Sequence, residues 1–191
     1  MPRHTEPVAR AGRELRLHEA TTADLSPSFL GALRAMLDAA FDGDFADEDW
    51  AHALGGRHVW FAAADGTIVS HGSVVERRLE LGGRALQVGY VEALATTEAH
   101  RGRGLGTTVM RRLDEWIATR HELGVLSTGA RAFYARLGWV RWQGATWVDA
   151  PHGRLRTPDD DDSIMILRTP ASPALELTGD LVADWRASDA W

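Results

Sequence analysis

The 191-residue sequence contains no cysteine, no lysine and no asparagine. Without cysteine there is no disulfide, no thiolate ligand for zinc and no thiol nucleophile. Without lysine there is neither a Schiff base nor an amine general base, and every permanently cationic side chain is an arginine. Long apolar runs are missing too, so no segment approaches the ~20 residues of a membrane-spanning helix. The opening stretch MPRHTEPVARAGRELRLHEA lacks the apolar core of a secretory signal, and a cytoplasmic protein is expected. A basic excess is also absent. The formal net charge of −6 argues against a general nucleic-acid binder and favours cationic partners.

What is present suits one domain of α+β type, spanning 14–191 after an expected disordered leader of residues 1–13. ELRLHEA (Glu14 to Ala20) alternates as a strand does, and SPSFLGALRAMLDAAF carries helical periodicity through Phe29, Leu33, Met36, Leu37 and Phe41. DFADEDWAHALGG reads as a short helix with an acidic first turn and a double-glycine stop. The pairs Asp65-Gly66 and Gly82-Gly83 divide the next stretch into a three-stranded antiparallel meander. A helix with Val109, Met110, Leu113, Trp116 and Ile117 on one face follows the segment RGRGLG. GVLST reads as a strand, ARAFYARLG as a short helix, and WVRWQGATWVDA and SIMILRT as closing strands. The aggregate is a mixed, mostly antiparallel sheet flanked by helices.

RGRGLG is the most informative stretch. It fails the phosphate-loop pattern, which needs a lysine, and it fails G-x-G-x-x-G from either possible start. It matches R-x-x-G-x-G from Arg101 through Gly104 to Gly106, after a strand and before an amphipathic helix. Glycines in that position let backbone amides converge on a pyrophosphate, and the helix N-terminus adds a favourable dipole. A plain turn with incidental glycines is the competing reading of the hexapeptide alone.

In this context the motif resembles the acetyl-coenzyme A loop of the GNAT superfamily of N-acetyltransferases, which implies the GNAT fold. FDGDFADEDWAHALGG, GYVEALAT, LGVLSTGARAFYARLGWVRW, RTPDDDDSIMIL and DWRASDAW together resemble the aminoglycoside 2'-N-acetyltransferase family, in order from Leu15 to Trp191. The resemblance implies direct acetyl transfer from acetyl-CoA to the 2'-amine of an aminoglycoside, conferring resistance, without an acyl-enzyme. By the same resemblance Glu92 is the base, acting through a water, and the Leu94 N–H polarises the thioester carbonyl where superfamily strands splay apart. Ala95 and Thr96 continue backbone contacts along the pantetheine arm, and Arg101, Gly102, Arg103, Gly104, Leu105 and Gly106 hold the pyrophosphate. Tyr134 is the candidate general acid, since a phenol of pKa near 10 stays protonated at pH 7; packing is its competing role. Drug contacts carry over to Asp44, Asp160 and Asp189, to the Trp191 carboxylate and to Ser127, with Ala93 beside the base and Asp49 and Asp161 as second choices. A homodimer is the superfamily expectation.

Several acidic residues also have plainer readings. Asp47 to Asp49 suit a helix start whether or not a ligand exists, and the run Asp159 to Asp162 suits a solvated loop. Ala93 departs from the family pattern, which has glycine there. Histidines 52, 58, 71, 100 and 121 are scattered without metal-ligand spacing, so structural or exposed histidines and no metal are expected. Other readings stay open: acetylation of another amine, such as a cell-wall amino sugar or a protein terminus, or a non-catalytic domain that binds acyl-coenzyme A or captures aminoglycosides.

Overall fold

Three strands joined by glycine turns form the centre of the computed structural model, which describes residues 14–187 and 190–191. The expected leader (1–13) and the candidate drug contact Asp189 lie outside the described residues. Strand β1 (Arg16–Thr21) precedes two helices, α1 (Pro27–Ala40) and α2 (Asp47–Ala53). The meander follows as β2 (Arg57–Ala62), β3 (Ile68–Leu81) and β4 (Arg84–Thr96), antiparallel throughout. Then come α3 (Leu105–Arg120), β5 (Leu123–Ser127) and α4 (Arg131–Ala135). The remaining strands are β6 (Val140–Arg141), β7 (Ala145–Ala150), β8 (Gly153–Arg156), β9 (Ile164–Arg168) and β10 (Asp180–Asp184).

The sheet order is β6-β9-β5-β4-β3-β10-β7-β8, with β1 joined through β2 to β3. β3 is long enough to pair β2 along its first half and β10 near its end. Among the described residues, only β4/β5 and β7/β10 run parallel.

The two long helices are explained by their own sequences. Ser26 caps α1 by accepting from the Phe29 N–H at 3.1 Å, Pro27 occupies its first turn, and Leu33, Met36 and Leu37 form its buried face. α3 buries Val109, Met110, Leu113 and Ile117 against the strand residues Val59, Val74 and Val91. α1 packs its own cluster with Trp60 and Ile68. A third cluster joins Tyr90, Val125 and Ile164 to Trp142 and Trp191. Trp191 is buried, whereas Trp185 is half exposed.

Two expectations differ in detail. WVRWQGATWVDA is not one strand but β6 and β7, parted at Gly144, where a Cβ would lie 1.8 Å from the Gly179 carbonyl oxygen. The two backbones approach more closely there than any side chain permits. Strands β8 and β10 complete the sheet beyond the expected elements.

The C-terminal segment is tied down by charge. The buried Arg77 lies 4.6 Å over the Tyr90 ring and donates to an Asp184 carboxylate oxygen at 2.9 Å and to its carbonyl at 3.0 Å. Among the described residues, no helix is long and apolar enough to cross a membrane.

Candidate active site

The site follows from the way β4 leaves β5. The parallel pairing ends at Tyr90↔Val125, after which each strand runs on without the other. On its other edge β4 carries a bulge: His71 pairs with Ala95 but Ser73 pairs with Glu92, so β4 supplies one residue more than β3. The extra length is taken up at Ala93, whose φ of 50° lies in the left-handed region. A bulge re-aims the backbone groups beside it.

Two clefts meet at this place. One, of about 460 Å³, is lined by Asp44, Asp49, Glu92, Ala93, Ser127 and Trp191 among others. The second, of about 580 Å³, runs along Ala95, Thr96, Arg101, Gly102 and Gly104 to Gly106. Leu94, Ala130 and Tyr134 line both. Residues carried over from the resemblance, apart from Arg103, Asp160, Asp161 and the undescribed Asp189, therefore fall into two groups in space, and the bulge and Tyr134 join them.

The second cleft has the chemistry of a diphosphate cradle. Gly102 and Gly104 have φ of 74° and 77°, and α3 starts directly after Gly104 with no side chain capping its first N–H groups. Those amides and the positive end of the helix dipole are available to an anion. Arg101 donates to the carbonyls of Thr96 at 3.2 Å and Ala40 at 3.3 Å, so it braces the loop. Arg103 is exposed and is not among the lining residues. His100, Thr107, Phe133 and Arg136 also line this cleft. Sequence reasoning did not select them; Arg136 sits one residue past α4, on an element the motif does not include.

The first cleft is acidic. Of the crowded acids after α1, Asp44 and Asp49 line it, while Asp47 pairs with Arg34 at 2.9 Å. Arg34 also donates to Asp38 at 2.7 Å and to the Phe45 carbonyl at 3.0 Å, holding the acidic loop in place. Asp49 additionally accepts from the Ala46 N–H at 2.8 Å, the helix-start role expected of it. Ser127 donates to Ser163 at 2.8 Å, and Ser163 donates to the Asp160 carbonyl. Asp160 itself does not line the cleft. Asp161 lies outside it as well, bound by Arg156 and by both the N–H and hydroxyl of Thr146; these contacts hold its carboxyl down at about 2. The Trp191 indole N–H donates to Thr157 at 3.0 Å.

Glu92 is mostly buried, and its carboxylate accepts from Arg186 at 2.7 Å. Burial raises its pKa, opposed by Arg186 and more weakly by Arg77. Tyr134 is raised to about 12 by burial, with Thr128 lowering it through a hydrogen bond and the Asp114 carboxyl adding an upward push. Burial also lifts Asp114 to about 7, while a hydrogen bond from the Trp139 indole at 3.1 Å lowers it. Arg186 was missed because it approaches Glu92 from across the fold. Among the described residues, no group of three or more histidines and carboxylates is placed to hold a metal.

Such a pair of clefts can hold a diphosphate-bearing molecule and a cationic one with their reacting ends at Leu94, beside a base-capable carboxylate and a phenol. Comparisons with known proteins agree. The model of the acetyltransferase (GNAT) family matches residues 22–139. An aminoglycoside 2'-N-acetyltransferase from Mycolicibacterium fortuitum is 42% identical over 89% of each chain. A glucosamine 6-phosphate N-acetyltransferase from Oryza sativa subsp. japonica is 34% identical over 68% of this chain and 83% of its own. A GNAT family N-acetyltransferase from Escherichia coli, solved in complex with CoA, superposes with a TM-score of 0.64 at 18% identity, covering 94% of this chain and 93% of its own. This chain belongs to the acetyltransferase (GNAT) family, and within it to the family of aminoglycoside 2'-N-acetyltransferases.

Proposed function

We propose that this enzyme transfers acetyl from acetyl-CoA to the 2'-amine of aminoglycosides, and that its site residues act as the resemblance implies. One observation carries the substrate class. Among the described residues, the first cleft is lined by three acidic side chains, Asp44, Asp49 and Glu92, and by no arginine or histidine. A drug bearing several ammonium groups suits that lining. The reading suggested by the glucosamine 6-phosphate relative suits it less well, because a phosphate needs cations that this lining does not provide.

The chemistry then divides among few groups. The Glu92 carboxylate, through a water, takes a proton from the ammonium and frees the amine lone pair. The amine attacks the thioester carbonyl, whose developing oxyanion the Leu94 N–H stabilises. The tetrahedral adduct gives its second nitrogen proton to solvent and collapses, breaking the C–S bond; the thiolate leaves beside the Tyr134 hydroxyl, which supplies its proton and is reprotonated from solvent. Burial keeps that phenol protonated until it is needed. The pyrophosphate rests on the Gly102–Gly106 amides and the start of α3. We further place the enzyme in the cytoplasm, where acetyl-CoA is available, and as a homodimer.

The test is thiol release from acetyl-CoA with gentamicin, tobramycin, kanamycin A and amikacin, followed by mapping of the acetylated nitrogen. Turnover of the first two at the 2' position is expected, and the last two, with a 2'-hydroxyl, should be poor. Equal turnover of all four at some other nitrogen would remove the 2' assignment. Silence on all four would remove the drug.

A further inference from the structure

His58 and His71 are both fully buried, and they belong to a continuous row of hydrogen bonds. At its outer end, Thr22 Oγ1 accepts from the Gly55 N–H at 2.8 Å and lies 2.7 Å from His58 Nε2. His58 Nδ1 is 3.0 Å from His71 Nε2, and His71 Nδ1 is 3.1 Å from the carbonyl oxygen of Ala93.

The inner end of the row fixes where the protons are. A carbonyl can only accept, so His71 Nδ1 carries a hydrogen. Burial disfavours the charged form of both rings and pushes His58 to about 4 and His71 to about 3. With both rings neutral, His71 Nε2 accepts and His58 Nδ1 must donate to it. His58 Nε2 then accepts in turn, and the Thr22 hydroxyl, 3.3 Å from the Gly56 carbonyl but only 2.7 Å from this nitrogen, donates to it. Every bond points inward, toward Ala93, and each strengthens the next by polarisation.

Ala93 is where such a clamp matters. Its φ of 50° is unfavourable for a residue with a Cβ. The peptide joining it to Leu94 is trans, as are all those described. A trans peptide directs its C=O and N–H oppositely. Pinning the Ala93 oxygen onto His71 therefore turns the Leu94 N–H away from His71.

We propose that His71, itself fixed by His58 and Thr22, is a positioning residue that holds the Ala93–Leu94 peptide so that the Leu94 N–H meets the acyl carbonyl. The proposal rests on the role given to Leu94 above, but it does not depend on which amine is acetylated. It gives a function to two buried histidines that neither bind substrate nor exchange a proton with it.

Three measurements test it. In ¹⁵N-histidine-labelled wild-type protein at pH 7, both rings should show the Nδ1–H tautomer, the minor form of a free imidazole. Infrared spectra of acetyl-CoA labelled with ¹³C at the carbonyl should show the thioester band shifted to lower frequency on binding. In His71→Leu that shift should vanish and kcat should fall about 100-fold, with the KM for acetyl-CoA within about twofold of wild type. His71→Asn, whose amide N–H₂ stands near the Nδ1 position, should retain most of the band shift and most of the rate.

An Nε2–H tautomer at His71 overturns the proposal, as does a His71→Leu enzyme with unchanged band and kcat. If His71→Leu does not fold, the wild-type tautomers and the Asn variant decide. A wild-type band that does not move on binding overturns the Leu94 role and this proposal with it. Failure of every aminoglycoside to react, with the band shifted and the tautomers as stated, removes the drug and leaves the proposal standing.

Discussion

Glu92 is pulled in two directions. Burial and, more weakly, Asp49 raise its carboxyl, while Arg186 at 2.7 Å and the more distant Arg77 hold it back. The balance leaves it raised, closer to the pH at which it would work as a base. Arg186→Gln removes the largest opposing influence, so the carboxyl should titrate higher still. The acid limb of the kcat/KM profile should then move to higher pH, with a larger loss of rate at pH 6 than at pH 8. An unmoved limb would reduce Arg186 to an anchor for the C-terminal segment. That Glu92 and Tyr134 line a cleft could be expected from the sequence because each is a reactive type beside a recognisable motif. Arg186 could not, since the sequence separates it from Glu92 by 94 positions. His58 and His71 left a faint signal: one histidine in each of two paired strands, on either side of the Asp65-Gly66 turn.

The start of α3 depends on an element boundary more than on any side chain. Gly104 is left-handed at φ 77°, and the helix begins one residue later without a side-chain cap. A Cβ at this position would meet no atom within 4 Å, so substitution acts only through the backbone angle. Gly104→Ala should cost about 1 kcal/mol of stability. It should also raise the acetyl-CoA KM about tenfold, as the amides turn off the pyrophosphate. Titration of coenzyme A by calorimetry, alongside steady-state kinetics, checks both; unchanged affinity would exclude this loop from the coenzyme site. At this scale the meander, α1 and α3 were readable because their periodicity and turns are local. β8 and β10 were not. β10 is a strand by virtue of partners far along the chain, β7 on one side and β3 on the other, and five residues of DLVAD do not name them.

Across the whole molecule, buried titrating groups set the response to acid. His58 and His71 are neutral in the fold and held to about 4 and 3, whereas the unfolded chain takes up both protons near pH 6.5. Their contribution is complete above about pH 6.5 and declines as pH falls from there toward 4. Asp114 acts the other way: with its folded value near 7, the fold binds that proton first and gains stability between pH 7 and about 4. His121, lowered by burial, adds to the loss and Glu92, raised by burial, to the gain; with these two set against each other, the histidine pair outweighs Asp114, so denaturant unfolding at pH 4.5 should show about 2 kcal/mol less stability than at pH 7. Asp114→Asn, which removes the opposing gain, should make the loss larger. A loss of equal size in that variant would show that Asp114 does not titrate in this range. The meeting of the two clefts at Leu94, Ala130 and Tyr134 has a consequence for traffic. With coenzyme in the glycine-lined cleft and drug in the acidic one, as proposed above, each has its own cleft to enter, so coenzyme can stay docked while drugs come and go. On that assignment encounter order is left open by the architecture, and a scarce antibiotic can meet an enzyme that is already charged.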